Sequence, residues 1–323
     1  MTTSKNHRAL KITCIVLAVL LLLLAVALGF IGNYFYNYAL NPNSSVSYSP
    51  SAEDIGSTTG TSGGNWNGDD NHWLVENSEV LTLQSRDGLA LSACFMPRPD
   101  SHKYAVICHG YQSQASYGGK FARNFYDTGF NILAPDARGH GKSEGGYIGM
   151  GWPERRDIVD WCKQIVAQDP QAEIVLFGIS MGGATVMMTS GESDLPANVK
   201  CIVEDCGYTS AWEEFGGQLK EQFGLPTFPI MDVTNLVTRI RAGYDLKEAS
   251  SVEQVKKSRT PTLFIHGDAD TFVPFEMLDV VYNAAACEKE KLVIPGAAHG
   301  EASTVDPTLY WNTVNTFVSK YIR

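Results

Sequence analysis

The stretch Ile174-Val175-Leu176-Phe177-Gly178-Ile179-Ser180-Met181-Gly182-Gly183-Ala184 constrains this chain more than any other. A short apolar run meets Gly-x-Ser-x-Gly, and Ala184-Thr185-Val186-Met187-Met188 then reads as the start of a helix. A strand, a very tight turn and a helix form the context in which such a serine becomes a nucleophile. Pushing the Ser180 hydroxyl out of the turn forces its backbone into a strained conformation. Side chains at 178 and 182 would then collide with the neighbouring strand and helix, which is why glycine stands at both. The same turn aims the Met181 N–H at the place where an acyl oxygen would become negative.

Residues Ile12 to Ile31 run for about twenty positions without a charge, long enough for a helix to cross a bilayer. Lys5, Arg8 and Lys11 precede this run, and no Lys or Arg follows until Arg86. Glu53, Asp54, Asp69, Asp70, Glu76 and Glu79 all lie in that gap. Cationic flanks stay on the cytoplasmic side. The expected topology is a cytoplasmic N-terminus (1–11), a single-pass signal anchor in the cell membrane (12–32) and an extracytoplasmic remainder. Tyr34, Phe35, Tyr36 and Tyr38 then fit an aromatic belt. Ala25-Val26-Ala27 also looks like a signal-peptidase site, so secretion after cleavage is the alternative. Residues 33–71, rich in Ser, Thr, Gly and Asn, read as a flexible linker. About thirty coil residues would hold the rest of the chain within tens of ångströms of the bilayer, by roughly 5–6 Å × √n.

From 72 to 323 the chain reads as a single domain. Glu79–Ser85 and Leu89–Phe95 are strands joined at Arg86-Asp87-Gly88, a hairpin signal. Apolar strand runs at 104–108, 131–135, 174–179, 199–204, 262–265 and 291–294 then alternate with helical patterns. Such alternation means a mostly parallel sheet with crossover helices on both faces, the hairpin adding an antiparallel edge. In such sheets functional residues gather at the C-terminal ends of the strands. The net charge of −10, with no basic stripe, argues against a nucleic-acid partner. The seven cysteines are scattered, with no Cys-x-x-Cys pair to hold zinc.

A serine hydroxyl needs a base to take its proton and a group to orient that base. His299, in Gly296-Ala297-Ala298-His299-Gly300, follows the last strand on a short turn. His266-Gly267-Asp268-Ala269-Asp270 offers two carboxylates at the end of the strand before it. His109, His140 and His266 read as structural histidines.

The nucleophile turn, the order of these groups and the strand pattern together resemble the α/β-hydrolase superfamily of serine hydrolases. Three further stretches carry the resemblance: His109-Gly110; Pro135-Asp136-x-Arg138-Gly139-His140-Gly141-x-Ser143; and His266-Gly267-x-x-Asp270-x-x-Val273-Pro274. The resemblance spans roughly Leu81 to Arg323. It implies Asp270, rather than Asp268, as the acid beside His299, with Asp205 a rival because some members place theirs there. It implies Tyr111 as the source of a second oxyanion N–H beside Met181, and it calls for no metal or organic cofactor. The insertion at about 207–260 carries Trp212, Phe215, Phe223, Phe228 and Met231 and reads as a small helical cap at a pocket mouth.

The expected activity is that of a membrane-tethered serine hydrolase acting on carboxylic esters with an apolar portion, taken from a small-molecule or lipid-like substrate. A prolyl-oligopeptidase-like peptidase or a thioesterase on the same three residues is the alternative. A catalytically silent surface binding protein is the rival from another class.

Overall fold

Among the residues that the computed structural model describes, 2–45 and 68–323, eight strands form one sheet. They are β1 (Glu79–Gln84), β2 (Ala90–Met96), β3 (Lys103–Cys108), β4 (Asn131–Pro135), β5 (Glu173–Ile179), β6 (Val199–Asp205), β7 (Thr262–Gly267) and β8 (Lys289–Ile294). The helices are α1 (Thr2–Ala39), α2 (Gly68–Asn77), α3 (Gly119–Asp127), α4 (Glu154–Gln168), α5 (Met181–Ser190), α6 (Ala211–Phe223), α7 (Thr227–Arg241), α8 (Ser251–Val255), α9 (Glu276–Ala284), α10 (Ala302–Val305) and α11 (Pro307–Val318). The strand order is β1-β2-β4-β3-β5-β6-β7-β8. β2 is antiparallel to both β1 and β4, and every other pair is parallel. This is the α/β-hydrolase fold, with helices on both faces of the sheet.

Period-two alternation explains the two helical layers. Ala105 and Ile107 of β3, with Val175 and Phe177 of β5, pack under Phe121 and Phe125 of α3 and Val314 and Phe317 of α11. Val106 and Cys108, with Ile174 and Leu176, pack instead on Ile158, Trp161 and Cys162 of α4 and Val186 of α5. The central strands are therefore apolar on both sides, as strands covered on both faces must be. Their C-terminal ends converge on one edge of the sheet.

The insertion after β6 folds as α6 and α7. Ser210 caps α6 by accepting from the Glu213 N–H at 3.1 Å, and Gly224 ends it at φ 65°. Met231 and Leu219 turn inward to a separate apolar cluster with Met181, Tyr208 and Tyr244. This cluster roofs the edge where the strands end.

The structure corrects the reading of 33–71 as linker at both ends, while 46–67 lie outside the described residues. α1 continues to Ala39, and its last two turns pack on α7. Gly32, Tyr36 and Leu40 recur every four residues and form one buried stripe. A side chain at Gly32 would begin 2.6 Å from the Val233 carbonyl oxygen, so only glycine allows the two backbones this close. Arg241 lies over the Tyr36 ring at 4.2 Å and donates to the Asn33 and Asn37 side chains at 2.7 and 3.0 Å. The end of the helix is capped by the domain: Ile148 N–H donates to Leu40 O (2.8 Å) and the Tyr111 hydroxyl to Ala39 O (2.7 Å). Phe35 meets Phe223 edge-on at 5.2 Å, so Phe35 and Tyr36 face protein rather than lipid. At the other end of the supposed linker, α2 begins at Gly68, with Leu74 buried and Trp73 under the Arg123 guanidinium at 3.7 Å.

From Ile12 to Ile31, before this packed end, α1 is uncharged and largely exposed, and its stretch Leu10–Ala39 is long and apolar enough to cross a bilayer. The packing of its end on α7 makes a sharp prediction. Gly32→Leu should lower the unfolding temperature of the detergent-solubilised protein by roughly 2–10 °C, the cost of forcing extra atoms into a filled contact. Gly29→Leu, where no atom lies within 4 Å of an added side chain, should leave it unchanged within about a degree. Equal unfolding temperatures for the two variants would remove the α1–α7 contact from the account.

Candidate active site

Ser180 stands between β5 and α5 with φ 56° and ψ −119°. A side chain at Gly178 would begin 2.1 Å from Gly182 O, and one at Gly182 only 2.0 Å from Cys108 O. The turn is clamped on two sides. Ser180 N–H donates to Asp205 O on β6 at 2.8 Å, and Ala184 N–H donates to Ser180 O at 2.9 Å. Positive φ at a serine costs on the order of 1–3 kcal/mol, and the surrounding strands hold it there.

His299, on the turn after β8, reaches this hydroxyl: its Nε2 lies 2.8 Å from Ser180 Oγ. Its Nδ1 lies 2.8 Å from Asp270 Oδ2. Asp270 Oδ1 accepts the N–H groups of Phe272 and Val273, each at 3.0 Å. Burial alone would raise the Asp270 carboxyl, but His299 and His266 outweigh it and hold it at about 2. An ionised Asp270 can only accept, so His299 Nδ1 carries the hydrogen between them. Nε2 is then left with its lone pair toward the serine. A hydroxyl donating to a neutral imidazole that is itself oriented by a carboxylate can hand its proton to the ring as the oxygen attacks.

The structure thus brings Ser180, His299 and Asp270 together. Asp268 points elsewhere, accepting the Gly296 N–H at 2.6 Å. Asp205 is buried beneath the site and accepts from the Tyr310 hydroxyl at 2.8 Å; burial raises its carboxyl to about 6. His109 and His140 are built into the loops, each ring nitrogen bonded to backbone. Burial lowers them to about 4 and about 3. His266 does more than a structural histidine, since its Nε2 lies 3.1 Å from Asp270 Oδ2 as well as 3.0 Å from Val273 O. Its spacing of four from Asp270 was the available signal.

Met181 is the first residue of α5, so its N–H has no intrahelical acceptor. The turn after β3 lies against the serine: an added side chain at Gly110 would begin 3.5 Å from Ser180 Cβ. Tyr111 follows it and lines the same pocket as Ser180.

That pocket has a volume of about 80 Å³ and is walled mainly by Leu219, Phe223, Met231 and Phe272 from the roof. Phe272 also covers the His299 ring, with centroids 4.9 Å apart. Phe35, Tyr38 and Ala39 of α1 complete the wall, a contribution the sequence reading did not anticipate. Glu214 is the buried acid of the lining. Its Oε1 accepts from Gln218 Nε2 at 3.1 Å, its Oε2 has no partner among the described residues, and burial raises it to about 8. Cys206 Sγ lies within 4.8 Å of the Asp270 and His299 donor atoms, but these two are already engaged with one another.

Residues 99–205 match the family Hydrolase_4, serine aminopeptidase S33. The uncharacterized protein YqkD of Bacillus subtilis (strain 168) is 23% identical over 256 residues, 77% of this chain and 84% of its own length. Protein ABHD12B of Homo sapiens is 26% identical over 238 residues, 68% of this chain and 62% of its own. Among solved structures, the Pyrococcus furiosus esterase PF2001 superposes with a TM-score of 0.62 at 22% identity, over 80% of this chain and 96% of that one. The Pyrococcus horikoshii acylaminoacyl peptidase superposes with a TM-score of 0.57 at 17% identity, over 76% of this chain and 42% of that one. The chain thus has the α/β-hydrolase fold, and the part of it that matches the family Hydrolase_4 includes the Ser180 turn.

Proposed function

We propose that this protein is a membrane-tethered serine hydrolase that cleaves carboxylic esters with an apolar portion through an acyl-enzyme. One observation carries the reading: the continuous hydrogen-bonded chain Asp270–His299–Ser180 ends in an apolar pocket. Ser180 Oγ attacks the ester carbonyl while His299 Nε2 takes its proton. The N–H groups of Met181 and Tyr111 stabilise the oxyanion. The protonated imidazole then gives its proton to the departing alcohol, and the acyl group remains on Ser180 in the pocket. A water molecule, activated by the same nitrogen, reverses these steps and frees the acid. Asp270 fixes the ring and balances the positive charge that forms on it.

Amide cleavage is the second reading, supported by the match to serine aminopeptidase S33 and by the acylaminoacyl peptidase neighbour. The pocket favours the ester, because an apolar wall suits an acyl chain better than a charged peptide end. In the proposed topology α1 is the anchor, its N-terminus cytoplasmic and the hydrolase outside. A screen of esters of graded chain length against aminoacyl amides and thioesters, with the purified full chain, tests the reading. Turnover of amides alone would replace it.

Replacing Ser180 or His299 by Ala should lower kcat by roughly 10⁴-fold or more, and the double variant should lose little beyond that. Asp270→Asn should cost on the order of 10³–10⁴-fold, while Asp268→Asn, outside the chain, should cost less than about threefold. A Ser180→Ala protein that retains ester hydrolysis would end the proposal.

The pH profile follows from the depressed Asp270 carboxyl, which stays ionised down to about 2. Asp270 therefore adds no limb of its own to kcat/KM above about pH 4, and infrared difference spectra should show its carboxylate unprotonated down to that pH; a protonated-carboxyl band there that Asp270→Asn removes would overturn the assignment.

Glu214 gives a separate test by unfolding. Its folded value of about 8 lies above the ordinary carboxyl value near 4.3, so between them the folded chain keeps a proton that the unfolded chain loses. Its contribution to stability therefore declines as pH rises from about 4 to about 8. Glu214→Gln keeps the shape and an acceptor for Gln218 without the charge. It should raise the unfolding temperature by several degrees at about pH 8 and by little at about pH 4.5. The same gain at both would show that Glu214 is not held protonated.

A further inference from the structure

The pocket and the membrane-spanning stretch share one helix, and that fixes the height of the pocket above the bilayer. The uncharged run Ile12–Ile31 spans about 30 Å at 1.5 Å per residue, the thickness of a hydrocarbon core. Phe35 follows Ile31 by four residues and Ala39 by eight, hence about 6 and 12 Å beyond the core along the helix. The headgroup layer occupies about 5–7 Å on each side. Phe35 therefore sits at headgroup level and Ala39 just above it, and both line the pocket that holds Ser180.

The roof presents an uncovered apolar face at the same height. Val233 of α7 abuts Gly32, the first residue past the run. Leu236 and Ile240 follow Val233 by three and seven residues, on the same side of α7, and are 54% and 75% exposed. Phe228, at the start of α7, is 75% exposed. Through the contact of Val233 with Gly32, Leu236 and Ile240, flanked by the exposed side chains of Arg239 and Asp232, adjoin the apolar surface of α1, where Phe30 is 73% exposed. A bilayer that covers Phe30 stands beside this face of α7, and that continuity selects the bilayer as its occupant. No charge interrupts α1 between Ile12 and Ala39.

We propose that α7 is seated in the leaflet where α1 emerges, so that the pocket opens at the headgroup layer and draws the apolar tail of a bilayer-resident amphiphile past Phe35, Tyr38 and Phe223 to Ser180. The substrate class is then an ester of a membrane amphiphile rather than a dissolved ester. Both rest on the proposed function, the choice of ester on its chemistry and the seat of α7 on α1 as the anchor.

The test uses the full chain in phosphatidylcholine vesicles containing some phosphatidylglycerol. The paired substitution Leu236→Asp with Ile240→Asp should leave hydrolysis of water-soluble p-nitrophenyl acetate within about twofold. Hydrolysis of 4-methylumbelliferyl oleate embedded in the vesicles should fall at least about tenfold, the loss of two aliphatic contacts with lipid. Unequal loss supports the seat, and equal loss or none overturns it. The second measurement needs no turnover. In a Ser180→Ala background, Ile240→Trp should add fluorescence that brominated phosphatidylcholine quenches, beyond the quenching of the unsubstituted chain. Excess quenching without hydrolysis of any ester by the unaltered protein keeps the seat and ends the ester reading. Absence of excess quenching overturns the seat whatever the hydrolysis. A dimer in detergent that the two aspartates dissociate, with no excess quenching, would assign the face to a second copy of the chain instead.

Discussion

Backbone crowding at the turn between β5 and α5 is the constraint to which the surrounding architecture answers. Atoms of Gly182 and of Cys108 occupy the space that side chains at 178 and 182 would need. Only a turn pressed between adjacent strands is that tight, and β5 has β3 on one side and β6 on the other. Both neighbours take part, β3 by proximity at Cys108 and β6 through the bond from Ser180 N–H to Asp205 O. The serine is thus held by the middle of the sheet. The groups that meet it arrive from the two strands at its far edge, where the loops after β7 and β8 carry Asp270 and His299.

Three carboxyl groups buried around these strand ends have different fates, and their partners explain why. Glu204 receives one backbone N–H, from Gly207 at 3.0 Å, and burial drives it up to about 8. Asp205 has the Tyr310 hydroxyl and rises to about 6. Asp270 has two backbone N–H groups and two imidazoles, and it alone falls, to about 2. Burial penalises all three, and the donors gathered on one of them reverse the penalty. His299 first, and His266 beside it, make the difference between a merely hydrogen-bonded acid and one held ionised.

The features legible in the sequence are those fixed by neighbours in the chain. Glycines two residues either side of Ser180, period-two alternation in β3 and β5, and a histidine on a short turn after the last strand each announce a local geometry. What stayed hidden depends on partners far away. Gly32, Tyr36 and Leu40 form their stripe at the end of a longer apolar run, where their spacing is masked and Tyr36 resembles a lipid-facing aromatic. α2 begins Gly-Asp-Asp-Asn and buries only Leu74, so its polar composition matches a linker until α3 supplies Arg123 and the surface beneath it. In each case the sequence holds the right atoms, and the contact that gives them meaning is set by the fold.

The capping of α1 by Tyr111 and Ile148 divides that helix into two parts with different evolutionary freedom. From Ile12 to Ile31 its side chains are largely exposed, so in the proposed anchor span length and composition can drift with the thickness of the host bilayer. From Gly32 onward the helix belongs to the hydrolase as fully as any strand does, because it walls the pocket and its last carbonyls complete the domain. An exchange of anchors between proteins of this architecture therefore has its natural junction at Gly32. A graft placed even two turns later would carry away part of the active-site wall along with the anchor.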